Sequence, residues 1–391
     1  MFGISENMNK ENKLRPLDVL FFIFCLFPFI FPNPIVKTNI QPYASLLGTI
    51  IIFSEIFVLN NSLLNKNKSF FGIAWATLFV ALLVLCFSGI TVESLRAVFN
   101  YYSLAIVPLA TYFILCRVEE FPENLLKALI LIWFIVSLIQ FFIDRSFLTS
   151  IISGVRFSYS YRGVVGLASE PSFLGIASFY FLHMIMKFKK NKMLYFAIAL
   201  VMGTLFAQSM MGVLFIGAFI VVYLLDETNS QKGFYIWGGA LLAVIVFLIL
   251  LNTVLVETRL YELFSIFLDS GIDGVLHDES ANARYDSLSV AISDAFENFL
   301  MPLGYTKRIG SGYGGFLCEL GFFSLPILFS ISFTMSKTFK KKFSKILYFI
   351  IITTLLFNNT QIGNSLLLVV LALNMKFPIE DKIKGDASIA I

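Results

Sequence analysis

Leu241-Leu242-Ala243-Val244-Ile245-Val246-Phe247-Leu248-Ile249-Leu250-Leu251 decides the fold class of this chain. The run is continuously apolar, so it is not a strand of a transmembrane barrel, whose ~10-residue segments alternate apolar and polar residues. Similar runs recur along the 391 residues, of which 58% are hydrophobic and 14% charged, with 45 Phe and a mean hydropathy of +0.84. Soluble domains hold about 25% charged residues. A helix crosses a ~30 Å hydrocarbon layer in about 20 residues and satisfies its own backbone hydrogen bonds there. The chain is therefore expected to be all-α, a polytopic integral membrane protein of about 12 transmembrane helices forming a single membrane domain over 1–391.

The apolar stretches place spans near 17–36, 43–59, 70–89, 95–116, 123–143, 172–187, 193–208, 211–225, 234–252, 314–335, 346–358 and 364–376. Lys10, Lys13 and Arg15 precede the first, which resembles a secretory leader. It ends, however, in Phe31-Pro32-Asn33-Pro34 rather than in a small-residue cleavage site, and a retained first helix is expected. Basic residues fall in alternate connections: Lys66 and Lys68, Arg117, Lys187 to Lys192, Lys232, and Lys337 to Lys345. Short cytoplasmic loops are rich in Lys and Arg, so both termini are expected in the cytoplasm. Cys25, Cys86, Cys116 and Cys318 lie in apolar spans with no ligand spacing and are read as buried thiols.

Two outer segments exceed ordinary connectors, a first long loop at 144–171 and a large loop at 252–313 between spans 9 and 10. Within the second, Leu260, Leu263, Phe264 and Phe267, and then Leu288, Ile292, Ala295, Phe296 and Phe299, recur at helical spacing. The expected elements are two amphipathic helices, Glu257 to Leu268 and Ser280 to Leu300. They are separated by the turn-forming Asp269-Ser270-Gly271-Ile272-Asp273-Gly274, with Ser280 as N-cap. No soluble domain, low-complexity segment or repeat is evident.

The 29 basic residues are 20 Lys and 9 Arg, sorted by side. Seven arginines, Arg96, Arg145, Arg156, Arg162, Arg259, Arg284 and Arg308, fall toward the outer face, against only Lys37 and Lys307 of the lysines. A planar guanidinium binds phosphate in bidentate fashion, so this face is expected to hold an anion. Asp144 and Glu257 offer Arg145 and Arg259 local ion pairs; Arg96, Arg156, Arg162 and Arg284, with Tyr285 beside the last, are the candidate anion ligands. Arg284 is expected in the first turn of an outer helix, where free amides add to its charge. Arg162 opens Arg162-Gly163-Val164-Val165-Gly166-Leu167-Ala168-Ser169-Glu170-Pro171-Ser172, which puts Glu170 at a helix entrance. Glu170 is the candidate general base. His277 is the second candidate, because imidazole commonly fills that role. His183, nearer the inner side, is read as structural, and no metal or cofactor is called for.

Together with the topology, Arg162 with Glu170-Pro171-Ser172 and Gly175, then Ser280-Ala281-Asn282-Ala283-Arg284, then Gly310-Ser311-Gly312-Tyr313-Gly314 running into Glu319-Leu320-Gly321, resemble the Wzy-type polymerases of O-antigen and capsular polysaccharide. These belong to the O-antigen ligase/polymerase superfamily. The resemblance implies a metal-independent glycosyltransferase of the bacterial plasma (inner) membrane. It would move a growing glycan from undecaprenyl pyrophosphate to a hydroxyl of an incoming lipid-linked repeat unit. It further implies an undecaprenyl-pyrophosphate-linked oligosaccharide and membrane lipid as partners, a chain-length regulator protein, and no nucleic acid. Ligases of the superfamily carry a histidine shortly before the tenth span, where this chain reads Ile309 to Gly314. The O-antigen ligase is thus one alternative. A lipid-linked glycan flippase or other transporter is another, disfavoured by the nearly uncharged middle of the spans.

Overall fold

The computed structural model describes residues 13–31, 40–56, 67–118, 120–155, 163–227, 253, 256, 258–277, 279–305, 312–356 and 362–379. Among these, apart from an isolated antiparallel bridge between Ile30 and Ile152, the regular elements are helices. The first group comprises α1 (Pro16–Leu26), α2 (Tyr43–Ile56), α3 (Lys68–Ser88), α4 (Val92–Val118), α5 (Glu123–Phe142) and α6 (Pro171–Ile185). It continues with α7 (Lys192–Val201), extended by a π turn at Met202–Phe206, and α8 (Met210–Glu227). The second group is α9 (Arg259–Leu276), α10 (Glu279–Glu297), α11 (Tyr313–Leu320), α12 (Leu325–Ser336), α13 (Lys342–Leu356) and α14 (Ser365–Lys376). The span expected at 234–252 lies outside the described residues.

Among the described residues, five helical runs have the length and composition to cross a membrane: Lys68–Ser88, Val92–Val118, Glu123–Phe142, Met210–Glu227 and Tyr313–Ser336. Five more apolar helices are shorter. α4 and α14 form the buried axis, and nearly every residue from Ser103 to Cys116 and from Ser365 to Met375 is inaccessible. Large apolar side chains point away from this axis, among them Phe53, Phe79, Phe87, Phe142, Phe329, Phe333 and Ile350. Such a surface would be unstable in water and suits acyl chains. The molecule is an α-helical membrane protein.

One end of the bundle is lysine-rich, and its polar contacts record how the chain alternates. Arg117 at the end of α4 pairs with Asp18 at the start of α1 and with Glu55 at the end of α2. Asn67, just before α3, donates to Tyr112 Oη at 3.3 Å and to the Met375 carbonyl at 3.4 Å. Glu123, opening α5, accepts the Lys189 and Lys190 amides at 3.0 Å each, and Lys187 Nζ reaches the Phe377 carbonyl at 2.6 Å. Asp226, closing α8, accepts the amides of Lys340 and Lys341 at 2.9 and 2.8 Å. Starts of α1, α3, α5 and α13 thus meet ends of α2, α4, α6, α8 and α14, the up-and-down order the loop charges require.

Several expectations change. The stretch 314–335 is not one straight helix: Gly321 (φ +56, ψ −140) ends α11, and α12 begins only after a 3-10 turn. Tyr313 Oη donates to the Leu328 carbonyl at 3.1 Å and lies 2.9 Å from Ser332 Oγ. In a straight helix residues 313 and 332 would stand about 28 Å apart at ~1.5 Å per residue. The chain therefore folds back on itself at Gly321, where a Cβ would come within 2.1 Å of the Leu300 carbonyl oxygen. Ser280 is not an N-cap, because α10 already begins at Glu279. The expected turn at Asp269 to Gly274 is a break at Gly271 (φ +67, ψ −153) inside α9, which continues to Leu276. Arg117 is not a loop charge but a buried member of α4, and Cys86 is exposed on the apolar flank of α3, whereas Cys25, Cys116 and Cys318 are buried.

Candidate functional site

At the end opposite the lysines, a short loop is built to present Glu170. Gly163 lies so close to α7 that a Cβ would stand 2.2 Å from the Ala207 carbonyl oxygen. The adjacent Val164 amide donates to the Phe206 carbonyl at 2.8 Å. That carbonyl belongs to the π turn, where the Ala207 amide reaches back five residues to Met202 at 2.9 Å and the ordinary helical pairing is interrupted. Gly166 then adopts a left-handed conformation (φ +59) that a side chain resists. Both its backbone groups are held by one amide: its N–H donates to Gln140 Oε1 at 2.7 Å, and Gln140 Nε2 donates to its carbonyl at 2.8 Å. Gln140 is fully buried and also donates to the Phe147 carbonyl at 2.8 Å, so it ties the start of the connection between α5 and α6 to its later part.

Glu170 emerges from this clamp in extended conformation (φ −145, ψ 154), with Pro171 as the first residue of α6. Its carboxylate makes no cap bond to the helix, is half-buried, and accepts from Ser172 Oγ at 3.3 Å. Behind it α6 and α8 cross closely: a Cβ on Gly175 would stand 2.6 Å from Gly212 Cα. The carboxylate is thus carried on a rigid shoulder, the arrangement a positioned base needs.

Helices α9 and α10 dock on the same end. Leu260 of α9 is buried against Leu205, Met210 and Val213, the turn from α7 into α8 on which Val164 also rests. α10 packs on α11 through Ala291 and Ala295, with Cys318 Sγ donating to the Ala291 carbonyl at 3.0 Å. His277 is exposed at the end of α9, its amide donating to the Gly274 carbonyl at 3.1 Å, and Tyr285 is exposed on α10. Arg284 is the sixth residue of α10, beyond the first-turn amides expected to assist it, because only the first four N–H groups of a helix are free. Arg96 is exposed near the start of α4. Arg156 and Arg162 lie outside the described residues. The structure therefore brings Glu170 and the start of α9 to one shoulder and sets α10 on the folded pair α11–α12. Asp144, between α5 and α6, is held below the usual carboxylate range by the hydroxyl and amide of Ser146, at 2.7 and 2.9 Å.

His183 has a structural setting. Its Nδ1 lies 2.7 Å from Thr338 Oγ1 and its Nε2 2.7 Å from Tyr348 Oη, within the rings of Phe179 and Phe219. Two groups were given no structural role by the sequence reading. Gln140 carried no signal beyond being an amide near a span end. Glu319, 2% exposed, accepts from Tyr101 Oη at 2.6 Å; an isolated carboxylate between Gly315 and Gly321 in an apolar stretch was the available sign.

Comparison with family models, with curated proteins and with solved structures returned no match. The class of α-helical membrane protein accordingly rests on this chain's own helices.

Proposed function

We propose that this protein is a polysaccharide polymerase acting on undecaprenyl-pyrophosphate-linked oligosaccharides at the outer face of a bacterial plasma membrane. The observation that carries this reading is Glu170, a half-buried carboxylate held at a helix entrance by a loop whose backbone is fixed by Gln140 and the π turn. In the proposed step the hydroxyl of the incoming repeat unit attacks the anomeric carbon of the growing glycan. The bond from that carbon to the pyrophosphate oxygen breaks as Glu170 takes the hydroxyl proton. The departing pyrophosphate keeps the electron pair, and arginines of this end, Arg162 and Arg284 foremost, stabilise its charge. The sorting of arginine away from the lysine-rich end supports that assignment. The proposed architecture is twelve spans with both termini cytoplasmic, and a chain-length regulator is the proposed protein partner.

A transporter of lipid-linked glycan is the second reading, favoured by Glu319 in a helical segment broken at Gly321; broken helices and intramembrane carboxylates are common in carriers. Deleting the gene and examining surface glycan length separates the readings. Loss of long chains with single-repeat products retained is the expected result. Accumulated lipid-linked polymer would instead indicate a ligase, and loss of all surface repeats a flippase.

Arginine geometry supplies a further expected result. Arg162→Lys and Arg284→Lys keep the charge but lose the planar fork. Losing one charge-assisted hydrogen bond of about 1.5 to 3 kcal/mol in the transition state slows polymerisation about 10- to 150-fold per site. Lys at Arg145 or Arg259 should cost less than about threefold if these are wet local pairs. The measurement is chain-length distribution in a null strain at matched membrane level, and full-length polymer from both Arg162→Lys and Arg284→Lys would remove the bidentate assignment.

A further inference from the structure

We infer that Tyr101 and Glu319 are a positioning pair that fixes α10, and with it Arg284 and Tyr285, by clamping the α11–α12 hairpin against α4; the catalytic part of this inference rests on the polymerase reading. The hairpin is visible in three sets of contacts. Before it, Gly304 lies against the end of α3, where its Cβ would meet Ser88 Oγ at 2.1 Å, and Tyr305 Oη donates to the Ala81 carbonyl at 2.7 Å, seven residues from Ser88 along α3. Within it, Tyr313 is fully buried and bonded to Leu328 and Ser332 of α12. Near its turn, the Cys318 carbonyl accepts the Leu303 amide at 2.9 Å, and the Leu300 carbonyl accepts the Phe322 amide at 2.7 Å. Leu300 to Leu303 and Cys318 to Phe322 therefore lie together at one end of the bundle, beside the fold-back at Gly321.

Little in that segment is apolar packing of one long helix on another. α11 has only eight residues, too few to hold its place without tertiary contacts. Tyr101 supplies them: its ring packs on Phe316 with centroids 4.6 Å apart, and its hydroxyl donates to Glu319 at 2.6 Å, both groups being buried. Cys318, between these two anchor points, bonds Ala291 of α10, and the Leu300 amide returns to the Ala295 carbonyl at 2.7 Å. α10 thus rests on the hairpin, and the hairpin is tied to the buried axis through α4. Glu319 acts on the transfer through α10 rather than by touching substrate.

Hydrogen exchange of the full-length protein in lipid nanodiscs tests the clamp without any substrate. Tyr101→Phe keeps the ring contact and removes only the donor, so the fold is retained; Glu319→Leu removes the acceptor. Peptides covering 279–297 and 313–320 should exchange about 5- to 150-fold faster in either variant, the range for one lost buried hydrogen bond. Peptides of α6 and α13 should not change. Adding Tyr101→Phe to Glu319→Leu should bring no further increase, because the bond between the two side chains is already absent. Unchanged exchange at 279–297 in both single variants, or additive effects in the double, overturns the clamp. Slower glycan transfer by Tyr101→Phe with lipid-linked substrate binding retained is the expected catalytic readout. A wild-type protein that transfers no glycan while the exchange pattern holds would refute the polymerase reading and leave the clamp standing.

Discussion

Glu170→Gln should fold, bind the lipid-linked substrate and lose about 10²- to 10⁴-fold in polymerisation rate, the usual scale for a positioned base. The structure explains why the substitution isolates chemistry from stability. The Glu170 side chain caps no amide of α6, so replacing it removes no helix-end hydrogen bond. A favourable charge at the helix start is lost, worth about 0.3 to 1 kcal/mol. The Ser172 hydroxyl, 3.3 Å away, can donate to a glutamine oxygen as it does to the carboxylate. Loop placement is also independent of this side chain, because Gln140 and the Phe206 carbonyl hold residues 164–166 by their backbone. The assay is single-turnover transfer by purified protein, with substrate binding measured separately. Normal transfer by Glu170→Gln together with its loss in His277→Ala would move the base to His277. That residue is exposed at the end of α9 and reachable from water.

How much of this was readable from sequence depends on whether the signal is local. Helix class, the reversals and the amphipathic outer segments follow from composition, charge and spacing within single windows, and most helices begin within a few residues of where the apolar pattern places them. The hairpin at Gly321 was hidden because both of its legs are apolar. The 24-residue run from Tyr313 to Ser336 satisfies every criterion for a straight span. Only contacts between Tyr313 and Ser332, which a helix would hold far apart, reveal the fold. The position of Glu170 at a helix entrance was legible from Pro171 and the preceding glycines. The agent that fixes its loop, Gln140, lies 26 residues before Gly166 and belongs to another helix, so no local pattern links them. Arg284 shows a boundary effect: Ser280 read as N-cap starts the helix at residue 281, whereas α10 begins at Glu279, and the break at Gly271 falls within the turn expected at Asp269 to Gly274.

Arg117 carries the second large expectation, and it too rests on pairings that span the sequence. Counted as a basic residue after a span, it reads as a topogenic charge; folded, it is 8% exposed and paired with Asp18 and Glu55, themselves 1% and 2% exposed. Arg15 adds a bond to Glu55 at 3.1 Å, and its backbone N–H donates to Asp18 at 2.7 Å, but its side chain is 44% exposed and cannot replace the buried guanidinium. Removing one partner of a buried pair leaves uncompensated charge and costs about 3 to 5 kcal/mol, more than the pair itself contributes. Arg117→Met should therefore destabilise the protein by about that amount, loosening α1 and α2 from α4. The triple variant Asp18→Asn, Glu55→Gln, Arg117→Met leaves no buried charge and should recover most of the loss, since neutral groups of similar volume are often tolerated where ion pairs stood. Denaturant unfolding of the purified protein in mixed micelles measures both. If Arg117→Met stayed within about 1 kcal/mol of the wild type, the range of a wet surface pair, the cluster would be solvated, and the lysine-rich end would be held by its backbone caps at Glu123 and Asp226 rather than by its buried charges.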